Sequence, residues 1–229
     1  IVDSVMKYHP TVIPTLFVDD LSIELSGEHD HILFHITGFT EKTTQRIHTD
    51  GMEVSQTKSV VSASHPSLAA DLTTKLTPLG IKHAKRVKSL GVGLAAGTSR
   101  NTKVMKTRLK NFKARLPRFQ ARKRAGVNTA RIVKTGGVAA LMHGFAGSGV
   151  SPSVLLQQRR AVLAAAAPTL GWGQELEVAL MIADGSKTGR ADPAFPAHIE
   201  VIQHWAQAVW NGWLPLDALQ TSLSHAKSK

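Results

Sequence analysis

The sequence predicts an α+β fold in which a small antiparallel sheet and its helices precede a series of basic helices. Residues 1–96 alternate short β-favouring runs with apolar residues at helical spacing, which is typical of a mixed domain. From Thr98 onward the spacing is helical only. The charge pattern supports the same division, since residues 72–174 hold 20 Lys and Arg and no Asp or Glu, whereas residues 1–71 hold 10 acids and 4 bases.

Composition excludes several classes of protein. The 229 residues carry a formal charge of +12 and are 42% hydrophobic, which suits one or two folded domains and argues against a disordered basic tail. The absence of Cys excludes disulfide scaffolds, thiolate zinc sites and cysteine nucleophiles, and it fits a reducing compartment without distinguishing nucleus from cytoplasm. No apolar run approaches the roughly 18 residues that span a bilayer, so no membrane partner is predicted. The first residue is Ile1 rather than Met, which is compatible with a fragment.

Each element of the first part has its own local pattern. Apolar runs on both sides of Asp19 and Asp20 predict a hairpin with the acids at its tip, and apolar steps of three and four predict the helix that follows. The predicted elements in order are a hairpin over 11–25, a helix over 28–48, two strands within 52–63 joined by a turn around 56–58, a helix over 67–76, and a strand pair formed by 80–83 and 87–94.

The basic part is predicted to be helical throughout. One apolar stripe, interrupted by Pro117, consists of Met105, Leu109, Phe112, Leu116 and Phe119. The further predicted helices cover 128–143, weakened at Gly136-Gly137, then 151–167 with Ser151 as N-cap, 175–183, 195–210 with Asp192 as cap, and 216–225. These patterns divide the chain into a sheet-containing part at 1–96, a basic helical part at 97–170 and a helical extension at 171–229.

The adjacent carboxylates of Asp19 and Asp20 are the first candidate site. Like charges within about 4 to 6 Å raise each other's pKa, and a divalent cation between them removes that conflict. The competing interpretation is a solvated turn, where Asp is common. Spacing alone leaves both interpretations open.

Three short motifs in a fixed order resemble a known family. Phe17-Val18-Asp19-Asp20 between apolar strands resembles the catalytic hairpin of retroelement reverse transcriptases. After a helix, residues 51–59 (GMEVSQTKS) are similar to that family's next palm motif, and residues 87–92 (VKSLGV) to its primer-grip hairpin, as found in non-LTR elements. The basic helices stand where the family has its thumb. The resemblance covers roughly residues 10–165 and implies a partial polymerase palm followed by a thumb and a helical extension.

The resemblance implies roles for individual residues. Such polymerases are RNA-directed DNA polymerases that transfer nucleotides with two Mg²⁺ or Mn²⁺ ions about 4 Å apart. Asp19 would be the principal metal ligand and Asp20 its partner, while Lys58 would neutralise or protonate the departing pyrophosphate. Gly91 would let the backbone approach the primer closely.

One part of the family pattern is missing from this sequence. The family's palm has a further metal-binding Asp on an earlier strand, preceded by fingers, but only 18 residues precede Asp19 and Asp3 is too near to match. We therefore expect a reverse transcriptase fragment that is inactive alone and whose partners include the missing palm and fingers half.

The basic part predicts nucleic-acid binding. Without carboxylates nearby in sequence, its charges form a field suited to phosphates, and few aromatic residues are present to stack bases. The expected partner is an RNA template with a DNA primer, or their hybrid, bound by its backbone. The predicted binding residues are Lys88, Gly91, Lys103, Lys106, Lys110, Lys113, Arg118 and Arg122. The alternative function is a nonenzymatic nucleic-acid-binding protein with an inert acidic hairpin, and a metal-dependent glycosyltransferase-like domain is disfavoured by the later motifs.

Two lesser clusters have ordinary interpretations. His29, His31 and His35 form a histidine cluster that is more typical of a surface or partly buried group than of a metal site. Trp205, Trp210 and Trp213 are expected to be core or docking residues of the last helices.

Overall fold

A computed structural model describes residues 1–97, 100–167, 175–184, 189–213 and 215–227. The described chain combines helices with three two-stranded sheets, which confirms the α+β class. It divides into two compact units. Unit 1 consists of residues 1–87 and 94–100, and unit 2 consists of residues 88–93 and 101–229.

Unit 1 contains a hairpin, a short parallel strand pair and three helices. The helices are α1 (Val2–Met6), α2 (His29–Thr49) and α3 (Pro66–Leu76), and α3 continues into a 3₁₀ turn at Thr77–Leu79. The strands are β1 (Ile13–Phe17), β2 (Asp20–Glu24), β3 (Val60–Val61) and β4 (Lys82–His83). They are followed by a hairpin of β5 (Arg86–Ser89) and β6 (Val92–Ala95), whose residues 88–93 belong to unit 2.

The core of unit 1 lies against one face of α2. Phe39 is fully buried with Val5 and Val12, and Ile36 packs with the apolar face of α3. The three-and-four spacing of α2 thus places one stripe inside, as the sequence predicted. Ile23 of β2 contacts both clusters, and this contact fixes the hairpin to the helices.

Two strand predictions for unit 1 are wrong. The strand predicted from Met52 does not form, whereas the turn predicted around 56–58 is present and is closed by the backbone N–H groups of Lys58 and Ser59, which donate to the carbonyl of Ser55. Lys82–His83 pairs in parallel with Val60–Val61 rather than with residues 87–94. The intervening helix α3 returns the chain in the same direction, which a parallel pair requires.

Unit 2 is helical apart from its part of the β5–β6 hairpin. Its helices are α4 (Lys103–Lys113), α5 (Leu116–Arg124), α6 (Thr129–Ile132), α7 (Ala139–Met142), α8 (Phe145–Ser148), α9 (Pro152–Ala166), α10 (Leu176–Asp184), α11 (Ala194–Trp210) and α12 (Leu216–Lys227). A π-helical turn over Val133–Val138 joins α6 to α7 and contains Gly136-Gly137, the predicted weak point.

The predicted apolar stripe forms the centre of the unit 2 core. Met105, Leu109 and Phe112 are buried, with Leu116 and Phe119 packed against them. Pro117 lies in the first turn of α5, and the helix breaks just before it. The rings of Phe112 and Phe119 lie 5.8 Å apart, centroid to centroid. Since both rings pack in the core, neither provides a surface for base stacking.

Ion pairs join the acidic end of the chain to the basic helices. The Arg159 guanidinium of α9 donates to both carboxylate oxygens of Asp192, with Nε–Oδ1 at 2.9 Å and Nη2–Oδ2 at 2.8 Å, and to Glu177 at 3.1 Å. Lys134 pairs with Asp184 at 2.9 Å. Burial lowers the pKa of Arg159, but the hydrogen bonds and charges of Asp192 and Glu177 outweigh it and hold that pKa above its usual value. Asp192 also accepts the backbone N–H of Ala194, the first residue of α11, but the N-cap position is held by Pro193, one residue later than predicted.

The last helices leave aromatic side chains in solvent. Trp210 is 90% exposed, Trp213 58% and Trp205 48%, and α11 buries no residue fully. The core interpretation of these residues is therefore wrong, and their assignment as docking residues stays a prediction. No helix of the described ranges is long and apolar enough to cross a membrane.

A buried imidazole lies between α1 and α2. His9 is only 3% exposed, and its Nδ1 lies 3.1 Å from Nδ1 of His35. One hydrogen bond joins the two rings, so one nitrogen must donate and the other must accept. Burial lowers the pKa of His9, and the charges of Lys42 and His35 lower it further. The neutral ring is the form that this packing favours.

We predict that unit 1 loses stability in mild acid. Unfolded His9 takes up its proton at a higher pH than the folded residue, so stability is complete above about 6.5 and falls as pH drops below that value. Thermal unfolding at pH 7.5 and 5.5 measures the effect. His9→Gln, which cannot titrate, should show a smaller loss than wild type, and an equal loss in both proteins would contradict the assignment.

Candidate catalytic hairpin and nucleic-acid interface

The acidic pair lies at the tip of the first hairpin, as the sequence predicted. Strands β1 and β2 are antiparallel, with Phe17 opposite Asp20, so Val18 and Asp19 form a two-residue turn. Asp19 and Asp20 are both exposed. The tip therefore presents two adjacent carboxylates to solvent at a position fixed by the strand register.

Both hairpin turns contain a side chain in a left-handed backbone conformation. Val18 has φ of 56° and Leu90 has φ of 46°, and no other non-glycine residue in the described ranges has a positive φ. A β-branched or bulky residue in this region costs roughly 1–2 kcal/mol. Backbone strain of this kind concentrates at functional sites. Both strained residues lie within the motifs that the sequence singled out.

Relief of the strain at the acidic turn should stabilise the protein. We expect Val18→Asn to raise the free energy of unfolding by about 1 kcal/mol, because Asn tolerates the left-handed region and Val does not. Val18→Ile is the matched control, since it keeps the β-branch and the strain. Denaturant unfolding compares the three proteins, and equal stability of the Asn variant and wild type would contradict the expectation.

The carboxylates at this tip have the right chemistry for a magnesium ion. Mg²⁺ prefers oxygen ligands, keeps several waters, and is commonly held by one or two carboxylates plus substrate phosphates. Cross-strand register puts Asp20, Ser22 and Glu24 on one face of β2, while Asp19 lies in the turn beside them. The described residues contain no group of three or more metal-ligating side chains. The pair thus fits a metal whose remaining ligands come from substrate, water or another segment.

Lys58 lies on the turn closed by Ser55, immediately before β3. Its side chain is exposed, and the described contacts do not bring it against Asp19 or Asp20. Its role toward pyrophosphate stays a prediction.

The second hairpin carries Lys88 and Gly91. Lys88 is exposed on β5, and Gly91 is the second residue of the Leu90-Gly91 turn, with φ of 81°. A Cβ at Gly91 would lie 3.1 Å from Nη2 of Arg108 and 3.3 Å from Nε2 of His143. The small size of Gly91 therefore accommodates two side chains of the protein itself, and its predicted approach to a primer remains a prediction.

Four predicted binding residues form a lysine stripe along α4. Lys103, Lys106, Lys110 and Lys113 recur at steps of three, four and three, which places them on one side of the helix, and all four are exposed. The last three line a groove with Leu109 of α4 and with Val154 and Gln157 of α9. No carboxylate lines this groove, so its charge is uniformly positive. The sequence contained the spacing of the stripe, but the role of α9 as the second wall required the structure.

The predicted residues of α5 extend the positive surface. Arg118 and Arg122 are one turn apart and exposed. Across the described chain, ion pairs of the basic segment involve only Lys134 and Arg159. The stripe and these two arginines consequently keep their charge available for a polyanion.

The predicted site residues divide cleanly between the two units. Asp19, Asp20 and Lys58 belong to unit 1, whereas Lys88, Gly91 and all the basic helical residues belong to unit 2. Candidate catalytic and candidate nucleic-acid-binding groups are thus held by separate cores.

Comparisons with protein-family models, with curated proteins and with solved structures find no match for this chain.

Proposed function

We propose that this chain is the C-terminal palm portion and thumb of a reverse transcriptase, and that it binds an RNA–DNA hybrid by its phosphate backbone. The observation that carries the proposal is the unneutralised lysine stripe of α4, which follows two strained hairpins bearing Asp19-Asp20 and Lys88-Gly91 in sequence order. Their order resembles that of the family's catalytic hairpin, primer grip and thumb.

The size of the stripe supports backbone binding. From Lys103 to Lys113 the helix rises about 15 Å, at 1.5 Å per residue. Phosphates of one duplex strand follow each other by about 3.4 Å along the axis, so the stripe spans several of them. The groove beside it is lined by aliphatic and amide groups as well as lysines, and no aromatic side chain lines it. Contacts of this kind give affinity with little sequence information.

In the proposed enzyme, the acidic hairpin supplies metal ligands. Asp19 and Asp20 would hold Mg²⁺ or Mn²⁺, and a bound ion would stabilise the charge that develops during nucleotidyl transfer. The protein's own contribution at this tip is to hold two carboxylates side by side in solvent, at a register fixed by β1 and β2. A further ligand would come from an additional palm segment, and we expect no primer extension by the 229 residues alone.

One observation favours a second candidate, a nonenzymatic nucleic-acid-binding protein. The carboxylate pair meets no third metal-ligating side chain in the described part of the chain, whereas the lysine stripe is complete within unit 2. In this alternative the acidic hairpin is inert and binding by unit 2 is the whole function. The two candidates differ only in whether Asp19 and Asp20 matter.

Salt dependence of hybrid binding tests the binding function common to both candidates. If the stripe and the two α5 arginines contact phosphates, the plot of log affinity against log salt concentration should have a slope of about −5, near 0.9 for each of six contacts. Fluorescence anisotropy with a labelled RNA–DNA hybrid gives this slope. A slope near zero would refute backbone binding.

A further inference from the structure

Two side chains of unit 2 hold the Leu90-Gly91 turn. Arg108 of α4 donates through Nη2 to the carbonyl of Gly91 at 2.6 Å and through Nη1 to the carbonyl of His143 at 2.5 Å. Nε2 of His143 lies 3.0 Å from the carbonyl of Leu90. Because a carbonyl only accepts, Nε2 must carry the hydrogen in this contact. The carbonyls of Leu90 and Gly91 therefore both accept hydrogen bonds from side chains. A third hydrogen bond joins Arg108 to the backbone carbonyl of His143.

Two glycines next to the turn lie in close-packed surroundings. A Cβ at Gly93 would lie 2.7 Å from the carbonyl oxygen of Asn101, and a Cβ at Gly144 would lie 2.6 Å from Cγ2 of Val92. Contacts this short do not occur for real Cβ atoms. The strand that leaves the turn is thus packed against Asn101, just before α4, and against Gly144, between α7 and α8, while Leu90 itself stays partly exposed.

The charge of Arg108 is used inside the protein. At 100° per residue, Arg108 lies about half a turn around α4 from the lysine stripe, so it does not extend that surface. Its guanidinium instead bridges two backbone carbonyls, a geometry suited to its planar fork of donors. Leu90 is in a left-handed conformation, and such residues persist only where the surroundings hold them. Arg108 and His143 provide that support.

We infer that Arg108 and His143 are positioning residues that fix the Leu90-Gly91 turn and thereby hold Lys88, on the adjoining strand, in place to meet a phosphate. The contacts themselves do not depend on any ligand. The part that concerns the phosphate rests on the proposed function. A turn fixed before binding loses less conformational entropy when it binds, which is how such a device would raise affinity.

Amide hydrogen exchange of the protein without ligand tests the first part. We expect Arg108→Ala to speed exchange of residues 88–93 by about tenfold while α9 stays protected, since the bonds that hold the turn are lost locally. Arg115→Ala is the matched control, because Arg115 is exposed and the substitution removes the same charge without touching the turn. Arg108→Lys and His143→Gln are milder variants for use if Arg108→Ala does not fold.

A double-mutant cycle tests the second part. Lys88→Ala should weaken hybrid binding in wild type, but it should add less in the Arg108→Ala background, where the bond from Arg108 to the turn is lost. A purely structural role for Arg108 would leave the two effects additive. Non-additivity therefore distinguishes a positioning residue from a general stabilising one.

The outcomes separate this inference from the proposed function. Unchanged exchange at 88–93 in all three variants, or an equal increase throughout unit 2, would overturn the positioning role. Additive effects in the cycle would overturn it as well. If Lys88→Ala has no effect on wild-type binding, the hairpin's part in the proposed function fails, and the exchange result alone decides whether Arg108 and His143 hold the turn.

Discussion

Replacement of Asp19 by Asn should abolish metal-dependent primer extension once this chain is joined to a reverse transcriptase palm and fingers half. If Asp19 is a principal ligand, loss of its charge removes about 4 kcal/mol of transition-state stabilisation, which is about 10³-fold in rate. Mg²⁺ titration of the joined protein, with extension of a primer on an RNA template as readout, measures this effect. Because Asn is nearly the same size as Asp, a loss of primer extension in this variant would report the loss of the carboxylate charge rather than a change in packing.

The chain provides a matched control for this experiment. Glu24 lies on the same face of β2 as Asp20 but at the other end of the strand, so Glu24→Gln removes a carboxylate from the hairpin without touching its tip. We expect it to extend primers nearly as well as the unmodified protein. If Asp19→Asn retains the full Mg²⁺ response, the catalytic assignment fails and the nonenzymatic candidate stands. Hybrid binding by unit 2 should be the same in both variants.

Neutralisation of the groove lysines should produce the largest loss of hybrid affinity. Replacement of Lys106, Lys110 and Lys113 by Gln removes three of the stripe's four charges, and the salt slope should fall by about 3. At 0.1 M salt the same three contacts correspond to a loss of affinity of about 10²- to 10³-fold, since each released counterion contributes a slope near 0.9. Anisotropy titrations at several salt concentrations give both numbers.

Three exposed lysines of unit 1 form the control set for this variant. Replacement of Lys7, Lys75 and Lys85 by Gln makes the same change in net charge outside the groove. If affinity depends on the net charge of the chain rather than on the stripe, the two triple variants will bind equally, and the groove assignment will be wrong. Circular dichroism should show unchanged helix content in both, because Gln is nearly as good a helix former as Lys.

The sequence was sufficient for those elements whose stability is local. The stripe of α4 and the break before Pro117 follow from residue spacing and from the missing N–H of proline. The parallel pairing of Val60–Val61 with Lys82–His83 could not be predicted in this way, because it depends on the return path of α3 rather than on the strands themselves. Val54 likewise favours a strand, but residues 52–54 pair with no strand in the described part of the chain.

The candidate site shows the same contrast. Asp19, Asp20 and the lysine stripe were identified from residue type and spacing, because charged groups at turns and on exposed helix faces have clear patterns. Arg108 and His143 had no such pattern, since their significance lies in contacts with carbonyls 17 and 53 residues away in sequence. The same holds for Val154 and Gln157, which line the groove only after α9 packs beside α4.

The hairpin at 86–95 has a consequence for any attempt to produce the basic helices separately. The chain leaves unit 1 after Val87, returns to it at Leu94 and leaves again after Arg100, so a fragment beginning at residue 97 or 101 would lack the turn that Arg108 holds. Such a truncation would remove the Gly91 carbonyl, one of the two acceptors of the Arg108 guanidinium. A fragment that begins near residue 86 keeps the turn with its supporting side chains, and is therefore the smaller piece of this chain that we expect to remain folded.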